Sequence, residues 1–226
     1  MHYDKRDPKA YNNAMGRYTT RRQMAFLGRH LKGEGLRILD IGGGNGRLAV
    51  PLASLGHHVT VADESELAIR LLAEENREGI ECAPPGDILS FRPTGLYDVA
   101  LASDTVKYMT RASHAALFGK FHEFLVDDGM FILAEMNAAS WRYAAARLLG
   151  RRTDYNIDSL RGYVASLQSA GFEIIEIEGF RWMPLTYHSN SPLVPFFAWM
   201  ESALQLRRWA GQSPWLLIAA RKSVPR

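Results

Sequence analysis

Cysteine is almost missing: the 226-residue chain has one, Cys82. An intramolecular disulfide is therefore excluded, and so is a zinc cage of cysteine thiolates. Long apolar runs are missing as well. The longest, residues 130–134 and 193–200, fall short of the ~20 residues that span a bilayer, and the second contains Pro195. The opening MHYDKRDPKAYNN is polar and lacks the apolar stretch of a secretory signal. These absences predict a cytoplasmic protein without a membrane span. The charge excess is small, 27 Lys+Arg against 24 Asp+Glu for a net +3, with a pI near 9.0. It needs no polyanion or membrane surface to explain it. There is no repeat at solenoid periods and no low-complexity tract.

What is present is the composition of a globular chain, 47% hydrophobic and 23% charged. Short β-rich runs at 36–41, 57–63, 79–83, 97–103 and 130–136 alternate with helical stretches at 47–55, 64–76 and 111–125. Such alternation predicts a mostly parallel sheet with helices on both faces. Ser65 or Asp63 is placed to cap the helix at 64–76. Later, a helix at 158–170 stops at Gly171, which tolerates a left-handed cap. A period-two strand follows at 172–180, then a helix within 192–210 and a last strand at 215–222. With no long crossover between them, the last two strands pair antiparallel at the sheet edge. An N-terminal helix spans 11–31, with Tyr11, Met15, Tyr18 and Arg22 on one stripe. That stripe either docks the helix or closes over a ligand.

The strongest local signal is ILDIGGGNGRLAV at 38–50, in which Asp40, Gly42, Gly44 and Gly46 fall in the spacing D-x-G-x-G-x-G at a strand-to-helix junction. Glycines let the backbone turn tightly and approach a ligand, and a helix start offers free amides. Gly44, Gly46 and Ala49 also match a dinucleotide pattern. That match leaves Asp40 and Gly42 unexplained. Asp63, beside Glu64, closes the second strand, where an acid can bind ribose hydroxyls. Asp87, in Pro85-Gly86-Asp87-Ile88, follows the third. It can receive an adenine amino group while the Ile88 amide meets a ring nitrogen.

With these residues in order, and with YDVALASDTVKYM at 97–109, the chain resembles a class I S-adenosylmethionine-dependent methyltransferase. The resemblance covers roughly 36–180 plus the final strand, and DDGMFILAE and SLQSAGFEIIEIEGF extend it. It implies an α/β fold, a Rossmann-like doubly wound seven-stranded sheet in the order 3-2-1-4-5-7-6 with strand 7 antiparallel. The implied cofactor is S-adenosylmethionine, leaving as S-adenosylhomocysteine. Backbone around Gly42 and Ala102–Ser103 would hold its methionine part, and Asp63, Glu64, Asp87 and Ile88 its nucleoside. Arg22, sharing a stripe with Tyr18, is the candidate grip on its carboxylate. No metal site is expected.

The resemblance also sorts acceptors. The stretch after strand four, Ala102-Ser103-Asp104-Thr105, lacks the Pro-Pro-Tyr segment of amino-methylating enzymes, and Cys82 follows strand three rather than the strand that carries a cytosine-methylating cysteine. The pattern implies a small-molecule acceptor. Tyr108 and His188 are the candidate catalytic groups, with Lys107 and Tyr187 beside them. One domain is expected over 1–226, with a helical cap at 1–35. Aromatic-rich insertions at 137–156 and 181–213 suit an apolar or flat acceptor. Arg151-Arg152 and Arg207-Arg208 either face acidic substrate groups or are solvated. The competing readings are an RNA or protein methyltransferase, a non-catalytic cofactor-binding regulatory protein and a nicotinamide oxidoreductase. A nucleic-acid partner is not expected, because the arginine pairs are dispersed.

Overall fold

The computed structural model describes residues 11–151 and 155–223. Its strands are β1 (Arg37–Ile41), β2 (His58–Ala62), β3 (Ile80–Cys82), β4 (Tyr97–Ser103), β5 (Leu125–Met136), β6 (Phe172–Phe180) and β7 (Trp215–Lys222). They form one sheet in the order β3-β2-β1-β4-β5-β7-β6. Neighbours from β3 to β5 run parallel, and β7 lies antiparallel between β5 and β6. This is the topology that the sequence implied. The direction of winding reverses at β1, whose last residue, Ile41, pairs with Ala62 on one side and Ala102 on the other. The ends of three strands are thus level where ligands of open α/β sheets bind.

The helices are α1 (Ala14–His30), α2 (Ala49–Ser54), α3 (Glu66–Glu74), α4 (Arg111–Phe124), α5 (Trp141–Leu148), α6 (Leu160–Ser169) and α7 (Val194–Ala203). Successive strand residues point to opposite faces, and the core divides accordingly. Ile38, Val99, Ile132 and Leu217 join a cluster with Phe26 and Leu27 of α1 and Leu52 of α2. Their chain neighbours Leu39, Ala100, Phe131 and Ile218 join a second cluster with Phe118 and Phe121 of α4 and Tyr163 of α6. Because both faces are covered, the central strands read as almost continuous apolar runs. None of the helices in the described residues is long and apolar enough to cross a membrane.

Several boundaries depart from the sequence pattern. β5 begins at Leu125, five residues before the apolar run at 130–136, through a register shift opposite Tyr97 and Val99. Asp128 sits there at φ 61, and a side chain at Gly129 would strike the Val126 carbonyl at 2.8 Å. A bulge of this kind turns polar residues into strand without altering the apolar run. α5 arises in the first insertion from Ser140, whose hydroxyl accepts the Tyr143 amide. Ser65, the alternative to Asp63, caps α3 through the Ala68 amide. Arg152 lies outside the described residues, as do residues 1–10 of the expected N-terminal cap.

Candidate active site

β1 delivers the chain into a loop that needs glycine at three points: Gly42, Gly44 and Gly46 have φ of 68, 56 and 79°. The left-handed region costs other residues about 1–2 kcal/mol. Gly42 has a second reason. A Cβ there would lie 2.2 Å from Thr105 Oγ1, and the Thr105 hydroxyl is needed where it is, 3.0 Å from the Ile41 carbonyl. Gly43 is pressed in the same way on Asp40, whose Cγ would lie 2.7 Å from an added Cβ. The Gly42 amide donates to the Ala62 carbonyl at 2.7 Å. The helix after the loop starts at Ala49, later than the pattern suggested, and is six residues long. The loop thus presents turns of backbone rather than a well-formed helix end.

Asp40 is buried at the end of β1, and its Oδ2 has no hydrogen-bond partner. Burial pushes its carboxyl up to about 7, Arg47 opposes the shift and Asp63 adds to it. Asp63 is also buried. Its carboxylate accepts from the Gly44 amide at 3.0 Å and the Ser65 amide at 2.9 Å, bracing the glycine loop. Glu64 is exposed beside it. Asp87 is exposed and closes a local turn by accepting from the Leu89 amide at 3.0 Å. Ile88 packs against the second core cluster.

Above the loop lies a cavity of about 270 Å³. Of the residues singled out from sequence, Tyr11, Asp40, Gly42, Gly44, Ser103, Lys107, Tyr108, Tyr187 and His188 line it. Gly46 does not; a Cβ there would meet Leu72 at 2.8 Å, so its role is packing. Asp63, Glu64, Asp87 and Ile88 lie outside that cavity, along the β2 and β3 side of the sheet edge. Tyr18 and Arg22 point elsewhere. The Tyr18 hydroxyl donates to Glu201 Oε1 at 2.7 Å, and Arg22 pairs with Glu178 at 3.3 Å. Both residues fasten α1 to α7 and β6. Arg47, unlike Arg22, lines the cavity. Its guanidinium donates to Gln23 Oε1 at 2.6 Å, Thr20 Oγ1 at 3.2 Å and Ser103 Oγ at 2.9 Å, and lies 4.3 Å from the Tyr11 ring centroid. Gln23 stands one residue, about 100°, round α1 from Arg22. Arg47 itself carried a signal, as the first cation after the glycines.

The opposite wall is made of side chains from distant segments. Asp104 follows β4 with φ 63°, a conformation that ordinary residues keep only where the surroundings enforce it. Its Oδ2 accepts from the Tyr11 hydroxyl at 3.1 Å, and its Oδ1 takes the Lys107 ammonium. Tyr108 stands edge-on to Tyr155 at 5.6 Å, and Tyr187 edge-on to both Tyr11 and His188 at 5.2 Å. Burial pushes the Tyr108 hydroxyl well above its usual range. Beneath Lys107, Glu135 is buried, accepts the Lys107 amide at 2.7 Å and is pushed up to about 8 by burial. Among the described residues of the insertions, Tyr155, Tyr187 and His188 reach the cavity. Phe196, Trp199 and Trp209 are 54, 66 and 63% exposed, so the expected aromatic cap is smaller than the residue count suggested. No three His, Cys, Asp or Glu side chains among the described residues cluster as metal ligands would.

Residues 11–177 match the family described as "Methyltransferase domain". The chain belongs to this methyltransferase domain family. It is 33% identical over 119 residues to a ubiquinone biosynthesis O-methyltransferase of Caulobacter sp. (strain K31), covering 51% of this chain and 46% of that protein. A protein of the same name from Paramagnetospirillum magneticum is 27% identical over 207 residues, 80% of this chain and 81% of the relative. The chain thus spans about half the length of the Caulobacter relative that it matches. Among solved structures, the N-methyltransferase NodS of Bradyrhizobium japonicum, in complex with S-adenosyl-L-homocysteine, superposes with a TM-score of 0.68 at 15% identity, covering 99% of this chain and 94% of that one. At that identity the likeness concerns the fold of the methyltransferase, not its acceptor.

Proposed function

We propose that the protein transfers a methyl group from S-adenosylmethionine to a small organic acceptor. The observation that carries this reading is the pairing of Asp40 and Arg47 on one cavity. Asp40 offers a buried carboxylate oxygen with no partner. Arg47 is a cation whose hydrogen-bond partners among the described residues are all neutral. The two fit a zwitterion, ammonium toward Asp40 and carboxylate toward Arg47, as the methionine end of this cofactor presents. Gly42 and Gly44 keep the floor between them free of side chains. Asp63 and Asp87, at the next two strand ends, are the proposed ribose and adenine acids, with Glu64 and Ile88 beside them. Family membership and the 3-2-1-4-5-7-6 sheet support the same assignment.

When bound, the sulfonium supplies an already activated methyl group, so the protein's work is alignment and exclusion of water. Tyr11, Tyr155 and Tyr187 form an aromatic wall that suits a flat or apolar acceptor. Tyr108, with its hydroxyl held protonated, is placed to orient the acceptor. His188 is placed to receive a proton from it. A location in the cytoplasm is part of the same proposal.

Calorimetric titration with S-adenosylhomocysteine tests it. The expected result is binding by the wild-type protein, weakened in Asp63→Ala. Absence of binding by the folded wild-type protein would overturn the reading.

A further inference from the structure

Lys107 and Arg181 are both buried, at 5 and 3% exposure. Among the described residues, the acids that act on them are Asp104 and Glu135. Asp104 is occupied on both oxygens, by Lys107 and by the Tyr11 hydroxyl. Glu135 lies in a fully buried position where burial favours its neutral form near pH 7. Among the described residues, two buried cations thus stand at the cavity wall with one carboxylate already occupied on both oxygens. Burying unpaired charge is costly, and buried cations are ordinarily matched by anions. In Arg181, Nε and Nη1 are buried without partners. Its guanidinium carbon lies 4.9 Å from the Tyr187 ring and 4.6 Å from that of Trp215. The Lys107 ammonium has Asp104 as its one hydrogen-bond partner among the described residues. Its other contacts are the faces of Tyr108, Tyr155 and Trp215, at 5.2, 5.0 and 5.6 Å. An ammonium has three donors, and Lys107 lines the cavity.

We propose that Lys107, backed by the charge of Arg181, holds the reacting atom of the acceptor as an anionic oxygen, that of a phenolate or a carboxylate. The inference rests on the methyl-transfer reading and names its acceptor class. Lys107 is the catalytic residue, because its ammonium touches the oxygen. Arg181 is a positioning residue that acts through Tyr187 and the local field. The oxygen's lone pair forms the new C–O bond, the pair of the breaking C–S bond stays on sulfur, and the positive charge of the sulfonium cancels that of the oxyanion. The proton has already left, on binding, to His188 or solvent. An amine acceptor entering as an ammonium would add a third cation to this pocket.

The test uses the full chain saturated with S-adenosylhomocysteine and three single-ring probes: 4-nitrophenol, benzoate and benzylamine. The nitrophenolate absorbs in the visible, so its ionisation is read directly on the protein. The expected result is a drop of one unit or more in the apparent pKa of bound 4-nitrophenol, equal to a tenfold preference for the phenolate. It should be lost in Lys107→Met and regained in part in Lys107→Arg, with homocysteine-product binding and melting curves reporting that each variant is folded. If benzoate alone shows a Lys107-dependent gain of tenfold over benzylamine, the oxyanion is a carboxylate and the inference stands. It is overturned if benzylamine binds as tightly as the anions, if neutral nitrophenol is preferred, if neither anion binds, or if folded Lys107→Met keeps the preference. Failure of S-adenosylhomocysteine itself to bind would instead remove the methyl-transfer reading.

Discussion

The cavity has two walls of opposite construction. The one over β1 is backbone: Gly42 and Gly44 in left-handed conformations, with Asp63 bracing the turn. The wall facing it is side chain, contributed by Tyr11, Lys107, Tyr108, Tyr155, Tyr187 and His188. A backbone wall is local in sequence and intolerant of change. A side-chain wall is assembled from distant segments, and any one member can be exchanged while the sheet beneath stays the same. The difference separates what is common to a fold family from what sets one member's acceptor.

The sharpest way to break the backbone wall is Gly42→Ala. The strained φ and the 2.2 Å approach to Thr105 act together, and the expected loss is about 3 kcal/mol of stability. Denaturant unfolding should show it, with S-adenosylhomocysteine binding abolished at the same time. Next in size is a contrast between two arginines. Arg47→Met should weaken S-adenosylhomocysteine by about 10- to 100-fold, the worth of a charge-assisted hydrogen bond. Arg22→Met should leave the affinity within about twofold and lower only the melting temperature. Equal effects of the two on binding would contradict the assignment of the carboxylate grip to Arg47.

Smaller effects are expected away from the cavity. Glu178 is buried against Arg22, Arg29 and Arg207, which are themselves partly exposed. With that exposure discounted, Glu178→Gln should cost about 1–2 kcal/mol by thermal unfolding, less at high salt, without altering ligand affinity. A pH series tests the acid under the acceptor wall. Glu135, pushed up to about 8, keeps its proton in the folded chain where the unfolded chain has lost it. Stability from this group is therefore greatest below about pH 4 and falls as pH rises toward 8. Glu135→Gln should flatten the decline in melting temperature between pH 5 and pH 8, each kcal/mol corresponding to about 2–4 °C. The smallest change is expected on α7. Trp199→Ser, at a position 66% exposed, should stay within about 0.5 kcal/mol of wild type.

The same contrast explains what could be read from the sequence. The bounds of β4, β6 and β7 coincide with their apolar or alternating patterns, because periodicity is a local consequence of which face is covered. β5 does not, since its first residues are strand only by pairing with Tyr97 across a bulge. Asp40, Gly42, Gly44 and Ser103 stand in the cavity because strand ends and glycine turns are local facts. Arg22 was a reasonable candidate by charge. Whether it or Arg47 faced the cavity depended on the rotation of α1 about its axis, which Met15, Phe26 and Leu27 set by burial on the sheet. Asp104 and Lys107 lie next to a recognised strand. Their significance appears only when Glu135, Arg181 and Trp215, from three other strands or their ends, are brought beneath them. In the second insertion, aromatic residues on a helix indicate an apolar face without indicating what lies against it.

The position of β7 has a consequence for how the molecule comes into being. Among the described strands β6 is joined to the sheet through β7, and β7 follows both β5 and β6 in the chain. As the polypeptide emerges during synthesis, β5 and β6 are complete while the strand that belongs between them has yet to be made. Two apolar hydrogen-bonding edges, along 130–136 and 172–180, then stand open in a nascent chain. Seating β7 closes both in one event and brings Trp215 under Lys107. The aromatic support beneath Lys107 and the closure of the sheet are therefore supplied by the same eight residues.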